Sequence, residues 1–156
     1  MVEICIISVS SRQPDWISDG FTSYATRLKS NYKIQLLDVP ILTRSKNMNL
    51  ETAIEKEGQL VLKKIPNNAF VIALDALGES FDTNQLANNL RSWTEFKKIF
   101  FLIGGPDGLS EACLTRADKI WSLSSLTFPH GLVRILVIES LYRAYSINLG
   151  HPYHRI

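Results

Sequence analysis

Phe100–Gly108 reads FFLIGGPDG. Four apolar residues, Phe100 to Ile103, have the composition of a short buried strand. Gly104-Gly105-Pro106-Asp107-Gly108 stops the run, and Leu109–Leu114 resumes with helical character. Three glycines in five positions free the backbone for positive φ and let a ligand approach the main chain. Strand, glycine-rich turn and helix in that order build a ligand crevice at the carboxyl ends of an open α/β sheet. The plain alternative is a tight turn with no ligand. The stretch is neither GxGxxG nor GxxxxGK[ST], and no lysine follows it to hold a phosphate, which disfavours a nucleoside triphosphate.

Outward from that turn, strand and helix patterns alternate. Glu3–Val9, Ile34–Val39, Ala69–Leu74, Lys98–Ile103 and Ile120–Leu123 read as strands. Gly78-Glu79-Ser80 reads as a turn after the third. Helices are predicted from Pro14 through Leu28, over Leu50–Ile65, from Asp82 or Thr83 to Trp93, and over Gly131–Leu149. Thr43–Asn49, with Arg44 and Lys46, reads as a loop. The alternation predicts an α/β fold: one domain over residues 1–156, a mainly parallel sheet and helices on both faces. The last helix is apolar around nearly its whole circumference, so it needs cover on more than one side. A second subunit and burial within the monomer both answer that need.

Composition narrows the function. The chain has 46% hydrophobic and 21% charged residues and a formal charge of +2. That is a globular protein whose mild basicity permits an RNA partner without demanding one. Cys5 and Cys113 lack CxxC spacing, and no charged leader or cleavage site opens the chain, so a reduced, cytoplasmic protein is expected. Arg134, Glu139 and Arg143 interrupt the most apolar stretch, which makes it a poor membrane span. His130, His151 and His154 are the only histidines, and no acid or thiol accompanies them at ligand spacing, so no metal is expected. Neither cysteine is placed as a nucleophile, and there is no GxSxG elbow.

Two further stretches carry candidate chemistry. Ser124-Ser125-Leu126-Thr127-Phe128-Pro129-His130 mixes hydroxyls, apolar faces and a rigid exit, a combination that suits a flat, uncharged heterocycle held by main chain. The same residues serve equally as a capping loop before the last helix. From His130 onward, Arg134, Arg143 and Arg155 face one acid, with Tyr142, Tyr145 and Tyr153 interleaved. Arginine pairs with phosphate and tyrosine stacks on unpaired bases. The simpler readings are a Glu139–Arg143 helix pair and a terminus tied down on the core.

Taken together, FLIGGPDGLS, WSLSSLTFPHGLVRILVIESLYRAYSI and the terminal HPYHRI resemble the ribosomal RNA large-subunit methyltransferase H family, small members of the knotted SPOUT class. The likeness extends over essentially the whole chain. It implies methyl transfer from S-adenosylmethionine to N3 of a pseudouridine in large-subunit ribosomal RNA, within a ribosomal particle. It also implies a C-terminal trefoil knot and a homodimer. Cofactor-binding positions carried over are Leu74, Gly105, Ser124, Ser125, Leu126, Thr127, Phe128 and Pro129. A bulky residue at Gly105 is expected to fill the ligand's space. His130, Arg143, Tyr153 and Arg155 are the catalytic candidates, and Arg134, His151 and His154 the RNA-binding ones. The alternatives are a non-catalytic RNA-binding ribosome-assembly factor, and a SPOUT enzyme acting on another base or on ribose.

Overall fold

The structure is a computed structural model and describes residues 1–155; Ile156, the last residue of the tail, lies outside the described residues. Five strands form one sheet in the order β2-β1-β4-β3-β5: β1 (Val2–Val9), β2 (Tyr32–Val39), β3 (Phe70–Ser80), β4 (Lys98–Ile103) and β5 (Lys119–Ser122). Every pairing is parallel. Parallel neighbours need crossovers, and the helices supply them: α1 (Asp15–Leu28), α2 (Leu50–Leu62), α3 (Thr83–Trp93), α4 (Glu111–Arg116) and α5 (His130–Asn148).

The alternating side chains of the strands feed two cores. Ile4, Ile6, Ile72, Ile99 and Phe101 point to one face, under α1, α3 and α5. Cys5, Ile7, Val71, Phe100 and Leu102 point to the other, under α2 and α4. Both faces are covered, which is why the strand sequences are apolar throughout rather than alternating. Local signals fix the helix starts. Asp82 and Gln85 form a capping box on α3, Asn49 Oδ1 accepts from Thr52 N at 2.7 Å on α2, and Ser110 Oγ accepts from Cys113 N at 3.2 Å on α4.

The third strand runs further than its sequence indicates. Gly78-Glu79-Ser80, read as a turn, rejoins the sheet after a register shift: Trp121 pairs with Leu74 on one side of the irregularity and with Glu79 on the other. Residues 75–78 therefore bulge out. A Cβ on Gly78 would lie 2.7 Å from the Ile120 carbonyl carbon, so glycine permits the return, and Lys119 Nζ closes on Glu79 at 3.1 Å. The second helix ends three residues sooner than Leu50–Ile65 predicts, because Lys64 and Ile65 make i→i−3 bonds to Val61 and Leu62.

Helix α5 lies between α1 and α3 on the sheet. Val137, Ile138, Leu141 and Ala144 are fully buried, while Leu132, Leu136, Tyr142 and Ile147 are only half-buried. The monomer covers one side of this helix completely and the other in part. Among the described residues, no helix is long and apolar enough to cross a membrane.

Both cysteines are unexposed, and burial raises both thiol pKa values, that of Cys5 to about 12. A water-soluble thiol reagent should modify neither in the native protein near neutral pH and both after unfolding in denaturant; rapid native labelling would show that this core is open. Cys5 also sets a pH trend. Above about pH 9 the unfolded thiol loses its proton while the native one keeps it, so stability falls as pH rises toward 12.

Candidate cofactor cleft and the C-terminal cluster

Three segments meet on one edge of the sheet: the middle of β3 at its register shift, and the connections that follow β4 and β5. They enclose a cleft of about 360 Å³. Leu74 comes from the first, Gly104 and Gly105 from the second, and Ser124, Leu126, Thr127 and Phe128 from the third. Val133 and His130 close it from the start of α5. Six of the eight cofactor candidates thus share one cleft. Ser125 and Pro129 belong to the same loop without lining it. The volume falls at the lower end of small-molecule sites.

The glycine turn is held by its own backbone. Gly108 N donates to Gly105 O at 3.0 Å, and Gly108 adopts φ +84°. A Cβ on Gly104 would stand 2.6 Å from the Gly108 carbonyl carbon, so the two ends of the turn touch only because residue 104 has no side chain. Gly105 behaves differently from the sequence expectation. Its Cβ would meet Val9 Cγ1 at 3.2 Å, so a larger residue there presses first on the end of β1 rather than into the cleft.

The third connection is also shaped internally. Ser124 Oγ accepts from Leu126 N at 3.0 Å, and Ser122 Oγ donates to Ser124 O at 3.3 Å. The Ser124 hydroxyl, read as a ligand contact, has a structural bond in this loop.

The cleft's chemistry is apolar with little charge. Leu74, Ile103, Leu123 and Val133 give it hydrocarbon walls. Among the described residues, Asp75 and His130 are its only ionisable lining residues, and no lysine or arginine lines it. A polyphosphate would find no cation there, whereas a nucleoside with a positively charged substituent meets a flat apolar slot and one carboxylate.

The other candidates assemble elsewhere. Glu139 Oε1 accepts from Arg143 Nε at 3.0 Å, from Arg143 Nη2 at 2.5 Å and from Tyr153 OH at 3.1 Å. Arg143 Nη1 lies 3.1 Å from His154 Nδ1, and its guanidinium sits 4.9 Å from the Tyr153 ring centroid. The tail folds back along α5: Gly150 takes φ +70°, and His151 N donates to Ser146 O at 2.9 Å. Burial, then hydrogen bonds to Tyr24 and Glu139, push the Tyr153 phenol well above its ordinary value, so it stays protonated at neutral pH. His151 and Arg155 are exposed.

His130 opens α5 and Arg143 lies in its last third. Thirteen residues of helix put them about 20 Å apart along its axis. Within one chain the four catalytic candidates therefore do not converge. Arg134 departs from its expected RNA role in another way. It is only 3% exposed and donates to Ser10 Oγ at 2.7 Å and Asp38 Oδ1 at 2.9 Å, tying α5 to the ends of β1 and β2. Among the described residues, no group of three or more potential ligands is placed to hold a metal ion.

A parallel sheet with an apolar cleft bounded by the irregular middle of β3 and the turns after β4 and β5 suits an enzyme that binds a nucleoside cofactor at that edge. The chain belongs to the SPOUT methyltransferases: residues 2–154 match the family described as predicted SPOUT methyltransferase. It is similar along its length to proteins named ribosomal RNA large subunit methyltransferase H. The protein from Saccharophagus degradans is 47% identical over 155 residues, covering 99% of this chain and 100% of the relative. Those from Legionella pneumophila strain Paris (46% over 156 residues; 99% and 100%) and Thioalkalivibrio sulfidiphilus (43% over 155 residues; 99% and 99%) are similar to the same extent.

The two ends of the glycine turn should respond differently to substitution. Gly104→Ala forces backbone apart and should cost roughly 1–3 kcal/mol. Gly108→Ala meets no atom within 4 Å but must hold a positive φ, costing about 1–2 kcal/mol. Asparagine, which tolerates that region, should partly rescue position 108 and not 104 in thermal denaturation. Equal behaviour at both positions would contradict this turn geometry.

Proposed function

We propose that this protein transfers a methyl group from S-adenosylmethionine to N3 of a pseudouridine in large-subunit ribosomal RNA. The observation that carries the reading is the apolar, cation-free cleft at the carboxyl edge of the sheet in a chain of this family. The names of the relatives supply the RNA. The residues fit the cofactor. Leu74, Leu123 and Val133 would offer apolar surface to the adenine ring, the main chain of Gly104 and Gly105 would border the ribose, and Asp75 would balance positive charge. When bound, S-adenosylmethionine supplies an electrophilic methyl group.

What remains for the protein is placement of the acceptor and removal of its proton. The imide N3 of pseudouridine carries a proton, and His130 at the cleft is the group positioned to accept it. Arg143 and Arg155 hold phosphate or the charge that develops on the ring. Tyr153 is protonated and serves as a stacking and donating surface rather than as a base. Alignment of acceptor and methyl lowers the entropic part of the barrier.

His130 and the Arg143–Tyr153–His154 cluster must approach the same nucleotide, and their separation along α5 favours a homodimer in which the tail of one copy serves the cleft of the other. Half-buried Leu132 and Leu136 and the 62%-exposed Trp16 offer apolar surface for that contact. A knotted C-terminal path accords with three segments crowded around one cleft. A cytoplasmic protein acting on a ribosomal particle completes the reading.

The experiment is methylation of purified ribosomes with labelled S-adenosylmethionine, followed by mapping of the modified nucleotide. Label at N3 of one large-subunit pseudouridine is expected; label at another base or at ribose would replace the assigned acceptor. Deleting residues 151–156 should leave S-adenosylmethionine binding within about twofold and abolish transfer. Loss of both would give the tail a folding role instead, and RNA binding without any cofactor binding would indicate an assembly factor.

A further inference from the structure

We infer that Arg44 is a positioning residue for the cleft: it clamps the glycine turn from behind through Asp107, and buried Glu57 holds the clamp in place. Of residues 103–108, all but Asp107 line the cleft. The Asp107 carboxylate instead meets Arg44 Nη2 at 3.1 Å. The other partners of that guanidinium fix it from the opposite side. Arg44 Nη1 pairs with Glu57 Oε2, Nη2 donates to Glu57 Oε1 at 3.1 Å, and Nη1 donates to Leu42 O at 2.5 Å. The Glu57 side chain is 3% exposed and also accepts from Leu42 N at 2.8 Å.

This arrangement joins three separate segments: the connection after β2, helix α2 and the glycine turn. A carboxylate this buried, with both oxygens satisfied by fixed donors, has little freedom, so Arg44 is anchored before it reaches Asp107. The turn is the opposite case. Its glycines permit many conformations, and a ligand that requires one of them binds more weakly in proportion to the fraction of time it is absent. A clamp on the one turn residue that faces away from the ligand restricts the turn without occupying the cleft. The planar guanidinium grips Glu57 with both terminal nitrogens while Nη2 also reaches Asp107, so lysine is not an equivalent residue here.

The inference rests on the reading that the cleft takes S-adenosylmethionine, and two readouts separate the claims. Asp107→Asn removes one end of the clamp at a side chain that is 34% exposed, leaving the Glu57–Arg44 pair intact. In the ligand-free protein, hydrogen exchange at the amides of Gly104, Gly105, Asp107 and Gly108 should quicken about fivefold or more, and calorimetry should show S-adenosylmethionine binding weakened by about five- to tenfold. Asp107→Glu should restore much of both. Arg44→Lys should weaken binding in the parent and add little in the Asp107→Asn background, because the two residues act as one unit. Unchanged exchange in Asp107→Asn, or losses that simply multiply in the double variant, would overturn the clamp. A parent protein that binds no S-adenosylmethionine would instead overturn the reading of the cleft, and turn exchange alone would then decide the clamp.

Discussion

The backbone of residue 104 touches the backbone of residue 108, and the functional edge of this molecule depends on that contact. A Cβ at position 104 would stand 2.6 Å from a carbonyl carbon, so no other residue type permits the turn as it is. The contact folds the chain sharply at the end of β4, which lies between β1 and β3 in the sheet. The turn thereby shares a cleft with the middle of β3 and the loop that leaves β5. Those three segments wall a single apolar cleft. Displace the turn and the cleft loses one wall, whatever the rest of the sheet does.

The cleft and the C-terminal cluster differ in charge. Among the described residues the cleft is lined by one carboxylate, one imidazole and two hydroxyl side chains, and otherwise by hydrocarbon and main chain. The cluster on the last third of α5 is charged: Glu139 holds Arg143 and Tyr153 together, and His154 lies against Arg143. One region suits an uncharged heterocycle, the other a phosphate backbone and an unpaired base. A methyltransferase acting on RNA needs both kinds of surface within reach of one nucleotide. Helix α5 sets them about 20 Å apart in a single chain. Its half-covered apolar side is where the proposed second copy would dock.

Much of this was legible before any coordinates. Apolar runs such as Lys98–Ile103 marked strands, and Asp82 marked a helix start, because those signals are local in sequence. The cleft's glycine turn and its 124–130 loop were legible for the same reason. Long-range pairing was not. Glu79 and Ser80 read as a turn because nothing near them announces that β5 will pair with them after a bulge. Arg134 read as a phosphate ligand because its partners, Ser10 and Asp38, lie far away in the chain. The Arg44–Glu57–Asp107 clamp was missed likewise, although one signal existed. Glu57 falls at four-residue spacing between Ala53 and Val61 on the buried face of α2, where an unpaired carboxylate is costly. An acid at such a position requires a cation from elsewhere.

Titration of S-adenosylmethionine into isotope-labelled protein, followed by amide chemical shifts, decides where the cofactor sits. The largest shifts are expected at residues 74–76, at Gly104, Gly105, Asp107 and Gly108, and at residues 123–128, with the amides of β1 and β2 nearly still. Saturable binding with its shifts centred on the tail cluster or on the α2–α4 face, and those three segments silent, would contradict a cofactor site in the cleft.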